Sequence, residues 1–401
     1  MVKAAVFGYG TVGSGIVEVI MTNRQLITDR TGEDVDIKYI LDLRDFPGDP
    51  YETKIVHDVE TILNDPEITV IAEAMGGIEP AYTFTKRALS AGKSVCTSNK
   101  ELVEKHGAEL CTLAKENSCN YLFEASVGGG IPLLRTIVTS LTADHIDAVT
   151  GILNGTTNYI LTKMAREGSE FDTVLKEAQE KGYAERNPEA DVEGHDAGRK
   201  ITILASLVTG KNADYEDVYT EGITGITTAD FAYAKAMGRV IRLLGIYREL
   251  DGKYFAYVAP AMIDDQNPLY SVSDVFNGVL VHGNMVGDTM FYGAGAGKLP
   301  TASAVAGDVV DCVRAGKKTL PGGWSMEKLP LTDHKALEKS FFIRVTDDKV
   351  SEVEKIFGQC RQVDAGIAGE KGFLTGRMDE NTFEEKAGQL GGYISRIRVE
   401  D

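Results

Sequence analysis

The chain has 401 residues, room for two or three domains, and its 43% hydrophobic and 25% charged residues are the balance of a folded globular protein rather than a disordered or fibrous one. A formal charge of −18 argues against nucleic acid and anionic membrane as main partners. No apolar run approaches the ~20 residues that span a bilayer. No basic and apolar leader precedes the first strand-like segment, and the five scattered cysteines form no C-x-x-C pair, so free thiols, no zinc site and a cytoplasmic location are expected.

The first third alternates strand and helix. "VKAAVFG" reads as a strand, "TVGSGIVEVIMTNRQLI" as a helix and "DIKYILDL" as a strand. The rhythm continues through "TVIAEAMGG", "PAYTFTKRALSAG", "KSVCTSN" and "ELVEKHGAELCTLAKENS" to "NYLFEAS". Such alternation predicts an α/β domain with a parallel sheet over residues 1–130. From "GGGIPLLRTIVTSL" the pattern changes to strand-like "HIDAVTGIL", long helical stretches over 170–210 and 228–249, and strand-like "KYFAYVAPAMI" and "GVLVHGNMVGDTMFYG". This predicts an α+β substrate and dimerisation domain over 131–300. The amphipathic "ASAVAGDVVDCVRAG" is expected to pack back on the first domain and complete it over about 301–330. Residues 336–401 form a third part, a β-α-β-β-α-β succession from "SFFIRV" to "YISRIRV".

Gly8, Gly10 and Gly13 stand as G-x-G-x-x-G between the first strand and an amphipathic helix. The first glycine suits a tight turn, the second lets a pyrophosphate approach the backbone, and the third lets helix and strand pack closely. The anion then rests on the helix N-terminus. This predicts a Rossmann-type dinucleotide-binding domain. Asp42, at the end of the second strand, suits the ribose hydroxyls of NAD, and Arg44 suits the 2′-phosphate of NADP, so the choice between them stays open.

"GYAERNPEADVEGHDAGRK" crowds charge between two helical segments. Gly182 suits the end of the first helix, and Asn187–Pro188 keeps the next residues out of it. Asp196 and Lys200, four apart, share one helix face. By spacing alone they read as a solvated ion pair. Their context, with Glu185, Glu189, Asp191 and Glu193 before them and apolar "ITILASLV" after, predicts carboxylates gathered beside a partly buried lysine.

The pattern from Ala178 through Gly182, Tyr183, Ala184, Glu185, Arg186, Asn187, Pro188, Asp191, Val192, Gly194 and Asp196 to Lys200 resembles the signature of homoserine dehydrogenases. "GYGTVGSG", "SNKELV", "FEASVGGGIPLLRT", "GILNGTTNYILTKM" and "MFYGAGAGKLPTASAV" resemble further blocks of that family, in its order. The resemblance implies an enzyme that interconverts L-aspartate 4-semialdehyde and L-homoserine with NAD(P)H, in the biosynthesis of threonine, methionine and isoleucine. It implies Lys200 as proton donor and acceptor, Asp196 and Glu185 on the substrate with Asp191 beside them, and Lys100 between cofactor and substrate. Tyr183 and Thr156 fall in the same blocks and are expected at the substrate. Thr11, Val12, Gly76 and Gly295 are expected at the cofactor, Gly295 in a loop that closes near the nicotinamide. Glu124, Val127, Gly129 and Ile131 match a site for a monovalent cation such as Na⁺. The family also implies a homodimer or homotetramer.

Elementary chemistry agrees. Reducing an aldehyde takes a hydride to carbon and a proton to oxygen, and the proton must come from a side chain within hydrogen-bond reach. Lysine serves when burial or a second cation lowers its pKa, which two lysines facing one site would do. The ammonium of an amino-acid substrate asks for carboxylates such as Glu185 and Asp191. Asn154 and Thr156 read equally well as turn residues, and His195 reads as a spectator. Trp324 is expected to pack near a domain junction. Residues 340–399 resemble an ACT domain in pattern and place, but their first βα loop, "VTDDKVSE", lacks that module's usual glycine, so a structural role there is as good a reading. Two other classes compete: a semialdehyde dehydrogenase with a covalent thiol, for which Cys96 is the nearest but core-like candidate, and a non-catalytic sensor, which has no use for the Asp196/Lys200 pair.

Overall fold

A computed structural model describes residues 1–400. The chain divides into two compact units, the first made of Met1–His145, Thr202–Tyr215 and Gly293–Leu329, the second of Ile146–Ile201, Glu216–Tyr292 and Pro330–Asp401.

The strands of unit 1 are β1 (Val2–Phe7), β2 (Val35–Leu41), β3 (Ile55–Val56), β4 (Ile68–Glu73), β5 (Ser94–Thr97) and β6 (Tyr121–Leu122). They form one parallel sheet in the order β3-β2-β1-β4-β5-β6. That order is the Rossmann arrangement, in which the strand order reverses between β1 and β4. Helices α1 (Thr11–Thr22), α2 (Arg24–Thr31), α3 (Glu60–Leu63), α4 (Ala81–Ser90), α5 (Lys100–Glu116) and α6 (Leu134–Thr139) follow the strands. Near-continuous apolar strands such as β1 are those of a sheet covered on both faces. On α1, Ile16, Val17 and Ile20 bury one face. The single helix predicted from 11 to 27 is two, divided at Asn23. The strand predicted over "NYLFEAS" is two residues long, because Glu124–Ser126 turn in a 3₁₀ helix.

The second unit opens with β7 (Ile146–Ile152), α7 (Gly155–Glu167), α8 (Phe171–Glu180), α9 (Glu189–Val192) and α10 (His195–Thr209). Then come β8 (Tyr219–Thr220), α11 (Thr228–Ala236), β9 (Val240–Leu250), β10 (Lys253–Ile263), β11 (Phe276–Gly283) and β12 (Gly287–Ala294). Residues 240–249, predicted as helix, are strand. Gly238, with φ 71°, ends α11, and β9 pairs with β7 on one edge and β10 on the other. Buried on both faces, its apolar run lacks the alternation that would mark it as strand. The charged connection is also not wholly irregular, since α9 makes one turn directly after Pro188.

Helix α12 (Lys298–Ala315) returns to unit 1 and lies so close on α1 that a Cβ at Gly15 would approach Ala302 to 3.0 Å. The remaining elements are β13 (Ser340–Thr346), α13 (Val350–Phe357), β14 (Cys360–Val363), β15 (Glu370–Thr375), α14 (Glu380–Gln389) and β16 (Ser395–Val399). Their four strands are antiparallel neighbours in the order β16-β13-β15-β14. They do not form a sheet of their own. Strand β16 runs parallel to β10, so unit 2 has one ten-stranded sheet, β12-β11-β7-β9-β10-β16-β13-β15-β14 with β8 against β10. Among the described residues no helix is long and apolar enough to cross a membrane.

Candidate active site

The charged connection of unit 2 folds into a buried cluster around an asparagine. Asn154 is the N-cap of α7, and its side-chain oxygen accepts from Thr157 N at 2.8 Å. Its amide then has two hydrogens to place. They go to Asp191 Oδ1 at 2.7 Å and Asp196 Oδ2 at 2.8 Å. From one turn further along α10, Lys200 Nζ donates to Asp196 Oδ2 at 2.6 Å and to the Leu153 carbonyl at 2.8 Å. The side chains of Lys200 and Asp196 are only 11% and 6% exposed, so this pair is not the solvated one that an i,i+4 spacing suggests. A capping residue has been made the hub that fixes both carboxylates and, through them, the ammonium.

The other predicted substrate residues lie close by in sequence, and the structure treats them unequally. Thr156 donates to the Tyr183 carbonyl at 2.6 Å, and the Tyr183 ring stands edge-to-face on Tyr159 at 5.0 Å, so both residues brace the segment that follows α8. Gly182, with φ 75°, ends α8 as the sequence suggested. The Glu185 side chain is exposed, while its carbonyl is held by Gln179 Nε2 at 3.0 Å. In the sequence the turn reading of Asn154 stood level with a functional one. The signal that identifies it is an asparagine directly before the periodic apolar residues of a helix, a helix-start pattern.

In unit 1 the glycine turn has the form its spacing predicts. Gly8 takes φ 86°, and a Cβ at Gly13 would lie 1.8 Å from the Gly8 carbonyl oxygen. Gly10 is the N-cap of α1 without a side-chain cap, and a Cβ there meets nothing within 4 Å. Thr11 and Val12 begin the helix, so its first N–H groups face open space, a cradle that fits a pyrophosphate. Asp42 accepts from Tyr9 N at 2.8 Å and from the Arg44 guanidinium at 2.9 and 3.0 Å. The Arg44 bonds first, and the Tyr9 N–H after them, hold this carboxyl well below the usual carboxylate range. The two residues that the sequence set as alternatives are thus one ion pair.

A second network, which the sequence reading missed, fixes the loop after β4. Glu73, fully buried, accepts from Met75 N at 2.6 Å and from the Thr97 hydroxyl. Thr97 Oγ1 accepts from Asn99 N at 2.9 Å. Asn99 donates to the Gly77 carbonyl at 2.6 Å and caps α5 through Leu102 N at 3.1 Å. The loop holding Gly76 is thereby tied to the helix that begins with Lys100. Burial, unrelieved by any cation, pushes the Glu73 carboxyl up to about 7.

Glu124, expected at a cation site, also has a structural task. Its carboxylate accepts from Leu134 N at 2.9 Å and Arg135 N at 2.6 Å, which makes it the cap of α6. Gly129, with φ 53°, lies so near Gly295 that a Cβ would fall 2.5 Å from its carbonyl oxygen. Cys96 is fully buried with its Sγ 3.6 Å from that of Cys312, and burial pushes the thiol well up, so it is no nucleophile. Trp324 packs inside unit 1 against Phe123, ring centroids 5.5 Å apart.

A glycine turn of this kind on a 3-2-1-4-5-6 sheet serves a dinucleotide, and a buried, carboxylate-held lysine serves proton transfer; a nicotinamide-dependent oxidoreductase needs both. The comparisons agree and go further. Family models described as "Homoserine dehydrogenase, NAD binding domain" and "Homoserine dehydrogenase" match residues 8–124 and 132–310. A homoserine dehydrogenase of Bacillus subtilis is 44% identical over 77% of this chain and 72% of its own. The crystal structure of a homoserine dehydrogenase from Thiobacillus denitrificans superposes with a TM-score of 0.91 at 33% identity, covering 100% of this chain and 98% of that one. A hyperthermophilic archaeal homoserine dehydrogenase in complex with NADPH gives a TM-score of 0.65 at 26% identity over 78% of this chain and 97% of that one. The chain belongs to the homoserine dehydrogenase family.

Proposed function

We propose that the Asn154–Asp196–Lys200 cluster is the proton-transfer site for the reversible conversion of L-aspartate 4-semialdehyde to L-homoserine. The observation that carries this reading is Lys200, pinned between Asp196 Oδ2 and the Leu153 carbonyl on a helix whose next turns are buried. A bound nicotinamide cofactor supplies or takes the hydride. Lys200 gives a proton to the aldehyde oxygen during reduction and takes it back from the hydroxyl during oxidation. Asp196 aims the lysine. Asn154 holds Asp196 in place. Glu185, exposed on the same connection, and Asp191 take the substrate ammonium. The dinucleotide phosphates would rest on the N–H groups at Gly10, Thr11 and Val12, with Asp42 and Arg44 at the ribose, and Lys100 takes part in catalysis. A monovalent cation would be held by the Glu124 carboxylate together with backbone carbonyls at Val127, Gly129 and Ile131. The βαββαβ strand order of 340–399 supports an ACT-like role for that segment, and assembly as a dimer or tetramer goes with the family.

The test is a set of initial rates with aspartate semialdehyde, and with homoserine in reverse, against NADH and NADPH at equal concentration. Substrate-dependent change of nicotinamide absorbance in both directions is expected. No change with either substrate would refute the reading.

A further inference from the structure

Unit 1 contains a cavity of about 270 Å³ that neither the glycine turn nor the Lys200 cluster uses. Its walls are the second half of α5, the residues around β6, one face of α6, Asp308 and Asp311 on α12, and the segment 319–323. That segment is a strap gripped at both ends. Asn120 donates to the Lys318 carbonyl at 3.0 Å and accepts from Leu320 N at 2.7 Å. At the other end Trp324 Nε1 donates to Asn212 Oδ1 at 2.9 Å, and its ring fills the space above Gly107, where a Cβ would lie 2.5 Å from the indole. Between these anchors Gly322 and Gly323, with φ 135° and 77°, let the chain turn across the cavity.

The lining has two characters. Leu122, Phe123, Leu134 and Val138 make an apolar wall. Beside it stand three carboxylates, Glu124, Asp308 and Asp311, with one guanidinium among them. Arg135 spends itself on two, Nη2 to Asp308 at 2.5 Å and Nε to Asp311 at 2.7 Å. Arg314 approaches Asp311 from outside the wall at 3.8 Å, so three carboxylates face two guanidiniums and one acid is left in surplus, which burial makes costly without a compensating cation. Burial accordingly pushes the Asp308 carboxyl up to about 7 and the Glu124 carboxyl upward. Tyr121, also in the wall, is 5% exposed and leaves its hydroxyl without a hydrogen-bond partner. An apolar cavity of ~150 Å³ takes up benzene, so this one has room for an aromatic ring and a short arm.

We propose that the cavity is a ligand site for a small amphipathic amine, an apolar ring with a single ammonium, its ring on the Phe123–Val138 wall and its charge at Asp308 and Asp311. A zwitterion fits less well, because the only guanidinium in the wall is already paired.

Three probes of near-equal size decide this on the full chain: 2-phenylethylamine, neutral 2-phenylethanol and anionic 3-phenylpropanoate. Calorimetry measures binding, and Trp324, the sole tryptophan, reports where it occurs through its contacts with Phe123 and the strap. The amine should bind saturably with a change in tryptophan emission, at least about tenfold more tightly than the alcohol, and the anion not at all. Asp311→Asn should weaken the amine about fivefold or more and leave the alcohol unchanged. Val138→Phe should fill the space and abolish both. Should Val138→Phe not fold, Val138→Leu, which fills less of the space, stands in its place and should weaken both. Equal binding of amine and anion, heat without a Trp324 response, binding that survives Asp311→Asn undiminished, or no binding by any probe would overturn the proposal.

Discussion

At the scale of single residues, the groups of the proposed proton-transfer site were partly visible in the sequence. Lys200 and Asp196 could be read from their spacing and charge. Their burial could not, because it depends on Leu153 and Asn154, which lie more than forty residues earlier and meet them only in the fold. Asn154→Ala removes a helix cap and two hydrogen bonds to carboxylates, so a stability loss of about 1–3 kcal/mol is expected in urea unfolding. In the same variant kcat should fall by at least about tenfold, because Asp196 and Lys200 lose their common anchor. Glu73 lies in a strand whose apolar run hid it. Its carboxyl titrates near 7 when folded against 4.5 when free, so the folded chain keeps a proton that the unfolded chain releases. The associated stability is full below pH ~4.5 and is lost as pH rises through about 7, roughly 3 kcal/mol in order of magnitude. Glu73→Gln should flatten the fall in melting temperature over that window. Melts of the variant that keep the full wild-type slope would show that Glu73 is not its source.

Among the elements, the turn between β1 and α1 was the most legible, because its geometry is local. Glycine spacing alone specifies where the backbone must turn, open and pack. The structure separates the three roles, and Gly10 and Gly13 should therefore fail differently. Gly10→Ala faces open space and should melt within about 0.5 kcal/mol of wild type while weakening dinucleotide binding at least about tenfold, because the added methyl occupies the phosphate cradle. Gly13→Ala would drive a methyl into the Gly8 carbonyl and should lose stability as well as binding. Thermal melting and dinucleotide titration read both. Strand β9 was the least legible element. Its residues satisfy helical and strand patterns alike, and only pairing with β7 and β10, remote in the case of β7, settles the matter. The α9 turn was hidden for another reason: Pro188, read as a helix breaker, also suits the position just before a helix's first turn.

For the whole molecule, composition said soluble-type packing and acidic surface but nothing of how far one sheet extends. The sequence rhythm set 336–401 apart, whereas β16 joins β10 and merges its strands with those of β7 and β9–β12. The join is reinforced by buried ion pairs. Arg398 bonds Glu380 at 2.6 Å and Glu221 at 2.6 Å, and Arg344 bonds Asp230 at 2.9 Å and Glu370 at 2.8 Å. No single segment shows such pairs, since each spans distant stretches of chain. Arg344→Ala would strand two buried carboxylates, and a loss of about 3–5 kcal/mol in chemical unfolding is expected. A loss below about 1 kcal/mol would mean that water reaches these groups and that the segment is only loosely joined.

The central claim is that Lys200 moves the proton, and single-turnover hydride transfer in Lys200→Ala, followed by nicotinamide absorbance beside a measured dinucleotide Kd, tests it most directly. Because the pair is buried, some loss of stability accompanies the substitution, so the comparison is made at a temperature where the variant is fully folded. The account predicts an unchanged Kd and a rate lower by ~10²–10⁴, the usual worth of general acid–base catalysis. A folded variant that binds the dinucleotide normally and transfers hydride within about threefold of wild type would contradict it, because a positioned proton donor contributes far more than that.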